Sequence, residues 1–430
     1  MFFKEVIIRL YRDRFWGNSL VFFLGSFLAG FSNYLFQVLM ARLLSKPDYG
    51  ELQALLALLG IISVPAAALA TILVRQTAGF KSEDRLAKIH GLFSSFTNWG
   101  LVSASFLFFV FIFFSRIIAA SLNLVSIGPV LISAIFIFPL FLSSINRGIV
   151  QGLEGFKSLS VIGVLETGSK IILAFYLVKI GWAINGALGA AVLALGGGYL
   201  LTLLPLRDIL KEKKEVLEKV EVIKMARYFL PVFLTILVLS LFLQLDMILV
   251  KHFFDPETAG DYGALVLLAR IVFFLVSPII AVMFSLTAGA ESFIQAQSFL
   301  KKTLLATMFL SLPVLFFYFL FPEIVIKILI SNKFIQISPF LGWLGLTIFF
   351  YGLVQIFSQY FLSLGKKNFL PILMGGVLLE TILISWRHES LWQVIGAINL
   401  AMAVTLAGLL VLYFRGARRV KSVKGKTCQS

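Results

Sequence analysis

Apolar runs of membrane length recur along almost the whole chain, and nothing else in the sequence limits the fold so tightly. A helix of roughly 20 apolar residues crosses the hydrocarbon layer of a bilayer, so about twelve crossings are expected. They fall near residues 19–41, 50–74, 92–114, 127–145, 159–178 and 183–204, and again near 228–250, 262–286, 303–321, 339–362, 369–386 and 391–414. Lipid offers no partner to a backbone amide, so each crossing has to be helical. The expected fold class is an all-α polytopic membrane protein. Only 13% of residues are charged against 60% hydrophobic, where a soluble domain carries roughly 25% charged residues.

The runs come in two sets of six. DYGELQALLALLGIISVP, Asp48 to Pro65, returns as DYGALVLLARIVFFLVSP, Asp261 to Pro278, at an offset of about 213 residues. Glu166-Thr167 and Glu380-Thr381 agree with that register to within one residue. A duplicated half explains the match, and an even number of spans makes the repeat parallel. The expected organisation is a six-helix lobe over residues 1–206 with an amphipathic, basic start, a cytoplasmic linker helix over 207–227, a second lobe over 228–414 and a basic tail over 415–430. The paired DYG tripeptides read as tight outer turns. Pro65 and Pro278 read as helix interruptions suited to a hinge.

The formal charge is +16, but the cations sit between the apolar runs, so anionic lipid head groups rather than nucleic acid are the expected partner. With the first span entering from the cytoplasm, about 27 of the 37 basic residues lie inside and about 8 outside. Both termini are therefore expected in the cytoplasm, in a multi-pass protein of the cytoplasmic membrane. The single cysteine, Cys428, permits no internal disulfide and no thiolate metal site.

Five charges fall inside the spans: Glu166, Lys170, Asp246, Arg270 and Glu380. Each costs on the order of 2.5–3.5 kcal/mol at the bilayer centre on insertion scales, so they should face protein or water. Glu166 and Lys170 stand four residues apart and read either as a mutually neutralised pair or as binding groups. Arg270 is suited to a phosphate through its bidentate fork, or else bonds a carboxylate on another helix. Arg75 and Arg147 flank spans on the cytoplasmic side, where positive-inside bias alone would also put arginine. Asn33, Gln37, Gln355 and Gln359 read as helix-to-helix bonds.

No G-x-x-x-x-G-K-[ST] is present, so no P-loop feeds ATP to the process. Gly196-Gly197-Gly198 lacks that lysine and reads as close helix packing. The three histidines are scattered, so no zinc site is expected. The loops are too short for a soluble catalytic domain.

Three stretches then carry a family resemblance. NYLFQVLMARLLSKPDYGELQALLALL, NRGIVQGLEGFKSLS and LDMILVKHFFDPETAGDYGALVLL resemble the polysaccharide-biosynthesis, O-antigen-type flippases of the multidrug, oligosaccharidyl-lipid and polysaccharide exporter superfamily. The resemblance implies movement of a polyprenyl-pyrophosphate-linked oligosaccharide to the outer leaflet, by alternating access of two lobes around a cationic central cavity. Arg75, Arg147, Lys170 and Arg270 are the candidates for the pyrophosphate, and Glu166, Asp246 and Glu380 for coupling to a proton or sodium gradient. No cofactor is implied. A polysaccharide polymerase or glycosyltransferases are candidate partners. The alternatives are an ion-coupled multidrug or metabolite exporter of the same fold, a lipid II flippase, which resembles a chain with about two more spans, and, more remotely, a membrane glycosyltransferase or ligase.

Overall fold

In the computed structural model the described residues are 14–290 and 292–427. The rest of the basic amphipathic start, at 1–13, and Cys428 in the tail lie outside them. Twelve long helices are present among the described residues, one for each apolar run. In the first half they are α1 (Arg14–Leu43), α2 (Lys46–Ser82), α3 (Leu86–Phe113), α4 (Gly128–Gly152), α5 (Phe156–Leu177) and α6 (Ala183–Thr202). The second half supplies α7 (Lys219–Phe253), α8 (Pro256–Ala288), α9 (Phe293–Leu320), α10 (Ser338–Ser363), α11 (Leu370–Trp386) and α12 (Leu391–Thr427). Ten segments are individually long and apolar enough to cross a bilayer, with α5 and α6 running on as one segment over Phe156–Thr202 and α11 the shorter apolar helix. The protein is thus a multi-pass membrane protein.

The chain forms two compact units, one reaching to Ile236 and the other starting at Leu237. Within the first, α1 packs on α5, α2 on α4, α3 on α4, α4 on α6 and α5 on α6. Within the second, α8 packs on α10, α9 on α10, α10 on α12 and α11 on α12, and Phe242 of α7 meets α11 at Gly376. Adding six to each helix number of the first set gives the second. The duplication read from DYG and Glu-Thr therefore reproduces a whole pattern of helix partners.

The DYG tripeptides are not turns. Asp48 to Gly50 and Asp261 to Gly263 lie inside α2 and α8. The caps precede them: the Ser45 hydroxyl accepts from the Asp48 N–H at 3.2 Å, and the Asp255 carboxylate accepts from the Glu257 and Thr258 N–H groups at 3.0 Å each. A proline follows each cap, at Pro47 and Pro256, where its missing N–H costs no intrahelical bond. The tyrosines Tyr49 and Tyr262 are both fully buried. Pro65 and Pro278 lie inside continuous helices. Each releases the carbonyl four residues back, and the Ser277 hydroxyl reaches the one at Phe274, at 3.4 Å.

The linker also differs from expectation. Residues 209–211 form a single 3₁₀ turn, Glu212 is extended, and helix resumes only at Lys219. Residues 212–218 are a strap laid on the start of α3. The Glu215 N–H donates to the Ala87 carbonyl at 3.2 Å, His90 Nδ1 is 2.7 Å from the Glu212 carbonyl oxygen, and Lys214 donates to Ser94 at 2.7 Å. A Cβ on Gly91 would sit 1.8 Å from the Glu215 carbonyl oxygen, so only glycine admits the strap there. Beneath it, buried Lys88 pairs with Glu221 at 2.6 Å, Glu218 at 3.7 Å and Glu215 at 3.8 Å, and Leu217 packs on a core of Ile72, Leu73, Ile89, Leu92 and Met225. These contacts override the strap's helical propensity.

Candidate functional site

In the first unit the site begins on α4 and α5. Arg147 pairs through Nη2 with the Glu166 carboxylate. Their side chains are 36% and 15% exposed, so the pair opens onto accessible surface although it sits on membrane helices. Lys170 is one turn further along α5. The expected Glu166–Lys170 pair does not form, because each partner is taken elsewhere: Arg147 holds the acid, and Lys170 turns to α1. There its ammonium donates to the Asn33 side-chain oxygen and lies 4.5 Å from the centre of the Phe36 ring. Among the described residues no carboxylate makes an ion pair with Lys170; an amide dipole and a π face make its direct contacts, and Glu166 acts on it through space.

Gly198 of α6 completes this group. A Cβ there would be 2.1 Å from Glu166 Oε2, so the glycine leaves room for the carboxylate head. Of the triple glycine only Gly198 makes a close approach, to an acid; Gly196 and Gly197 border open space, so the expected close helix packing is not seen there. Arg75 lies exposed on α2. Gln37 and Gln53 make the helix-to-helix bond anticipated for the first of them, at 3.2 Å.

The second unit holds a different arrangement. The Asp246 carboxylate on α7 accepts from the Tyr262 hydroxyl on α8 and from the Met247 N–H, both at 2.7 Å. Glu380 on α11 is fully buried, and among the described residues neither of its oxygens has a hydrogen-bond partner. It is close enough to Asp246 for the two carboxyls to interact electrostatically. Arg270 does not pair with a carboxylate. Its Nη2 donates to the Leu243 carbonyl and to Gln244 Oε1, the latter at 3.1 Å, so it braces α8 against α7 and acts on Asp246 only through space.

Sequence reasoning missed Phe36 and Tyr262 as partners of the charged groups and read Asn33 as a plain interhelical bond. The repeat register held the signal. At offsets of 213 or 214, Asn33 matches Asp246, Tyr49 matches Tyr262, Glu166 matches Glu380 and Lys170 matches Ile384. Of the charged residues in the two sites, only Glu166 and Glu380 match a charge in the other half; Arg147 falls on Tyr360 and Arg270 on Ala57 at an offset of 213.

Outside the spans, burial pushes the Glu221 carboxyl up, but hydrogen bonds from Lys88 and the Glu218 N–H and the charges of Lys88 and Arg85 outweigh it and hold it below the ordinary glutamate value. Among the described residues no three histidine, cysteine or carboxylate side chains gather as metal ligands.

Residues 15–285 match the model of a family described as polysaccharide biosynthesis protein. No curated protein matches by sequence. Among solved structures, the chain is similar to an inward-facing multidrug resistance MATE family transporter of the MOP superfamily, with a TM-score of 0.76 at 15% identity over 92% of this chain and 96% of that one. It is also similar to the lipid II flippase MurJ in an inward closed conformation, with a TM-score of 0.71 at 16% identity over 92% and 87%. For the MATE multidrug transporter DinF-BH the TM-score is 0.67 at 17% identity, with 95% of each chain covered. The chain shares the fold of these transporters and of this flippase.

Proposed function

The chain belongs to the polysaccharide biosynthesis protein family, and we propose that it flips a polyprenyl-pyrophosphate-linked oligosaccharide from the cytoplasmic to the outer leaflet of the cell membrane by alternating access. Lys170 carries this reading. A cation on a membrane helix is usually matched by an acid, yet this one is held by neutral groups beside Arg147, whose guanidinium has two-pronged donors suited to phosphate. Anionic lipid-linked sugar supplies the missing charge. The orientation that keeps most cations inside puts both termini in the cytoplasm, the side where glycosyltransferases would load the substrate.

Coupling falls to the second unit. Two carboxyls that interact with each other, one of them fully buried and without a hydrogen-bond partner among the described residues, have to be neutralised by a proton or a small cation. Asp246 and Glu380 are the carriers in this reading, with Tyr262 holding Asp246. The same acids favour a second reading, an ion-coupled exporter of cationic compounds.

A leaflet-access assay in liposomes, run with a lipid-pyrophosphate oligosaccharide and with a cationic dye, separates the two. The flippase moves the sugar-lipid and leaves the dye, and Lys170→Met slows it at least tenfold. Dye movement driven by an ion gradient with the sugar-lipid stationary would overturn the proposal.

A further inference from the structure

Resting on the flippase reading, we infer that Glu166 is a built-in substitute for the substrate's phosphate, which must displace it from Arg147 to bind. The Arg147–Glu166 pair fills the Nη2 donor a phosphate would use, while Arg147 Nε is buried without an acceptor among the described residues. The guanidinium is therefore incompletely satisfied by the acid it holds, and a phosphate with several oxygens satisfies it better. Lys170, one turn away on α5, makes no ion pair among the described residues and feels Glu166 only through space. An arriving phosphate meets one ready cation and one occupied cation.

The displaced carboxylate has somewhere to move, since 15% of the Glu166 side chain is exposed. Gly198 sets the resting position by leaving room for the Oε2 atom. This arrangement has a kinetic consequence. A resident acid weakens binding, and when the lipid has crossed it returns to Arg147 and drives the phosphate off. Without it the site would bind tightly and release slowly. Glu166 is thus a specificity and release residue for the proposed reaction, acting through Arg147.

The test uses full-length protein in nanodiscs for binding and in liposomes for transport, with fluorescent farnesyl pyrophosphate as the binding probe and a lipid-pyrophosphate oligosaccharide as the transported substrate. Glu166→Gln should bind the probe about tenfold more tightly, lower the half-saturating substrate concentration by a similar factor, and also lower the maximal flipping rate. Gly198→Ala displaces only the flexible end of Glu166 and should shift binding the same way by a smaller factor. Lys170→Met should lose binding in both the native and the Glu166→Gln background. Unchanged or weaker binding by Glu166→Gln, at native thermal stability and with the native protein binding the probe, overturns the exchange and leaves the flippase reading intact. A native protein that binds no pyrophosphate probe while transporting a cationic dye overturns both.

Discussion

Glu166 and Glu380 occupy the same place in two copies of one helical scaffold, and their surroundings are opposite. Glu166 faces Arg147, is partly accessible and sits one turn from a lysine. Glu380 is sealed, without a hydrogen bond, and senses a second carboxyl. The divergence includes three positions of the site: Arg147 in the first half is Tyr360 in the second, Asn33 is Asp246, and Lys170 is Ile384. Exchanging an arginine for a tyrosine, an amide for an acid and a lysine for an isoleucine changes the charge around the shared glutamate while the helix partners stay the same. Duplication thus supplies a frame whose paired positions, on the reading proposed above, divide into anion recognition in one half and ion coupling in the other.

Glu380→Gln breaks the contrast most severely. It removes a charge the second site must neutralise, so flipping should lose its dependence on an imposed proton or sodium gradient, with gradient-driven rates falling by at least tenfold and thermal stability held or raised. Rates measured with and without each gradient check this and identify the ion.

Asn33→Asp makes the first half resemble the second. It gives Lys170 a carboxylate, so affinity for a pyrophosphate lipid should fall several-fold to tenfold. The same binding assay reads it, and an unchanged affinity would detach Lys170 from recognition.

Tyr262→Phe tests whether the second site is held by geometry. It leaves the buried Asp246 carboxylate short of a donor, which should cost about 1–3 kcal/mol of stability, seen as a lower thermal unfolding midpoint. The smallest effect lies outside the membrane. Because the folded Glu221 carboxyl is held below its ordinary value, its contribution is fully present above that ordinary value of 4.5 and is lost as pH falls through the lower folded value. Unfolding of the native protein should therefore ease on acidification below that ordinary value more than that of Glu221→Gln.

The sequence by itself determined the class, the twelve helices and the duplication, because a bilayer imposes a length and an apolar content on every crossing that any reader can count. It also marked Glu166, Lys170, Asp246, Arg270 and Glu380 as costly residues in need of partners. Which partners they found was decided by tertiary structure alone. Glu166 and Lys170 are ideally spaced for one another along α5, yet Arg147 on α4 and Asn33 with Phe36 on α1 claim them, since helices pack side by side at distances that local spacing does not encode. The linker shows the same reason in water: KEKKEVLEK reads as helix, but the buried Lys88 and the open face at Gly91 draw it out into a strap. Periodicity reports what a segment does alone, whereas the choice between a neighbour on the same helix and one on the next depends on the packing that brings the second within reach.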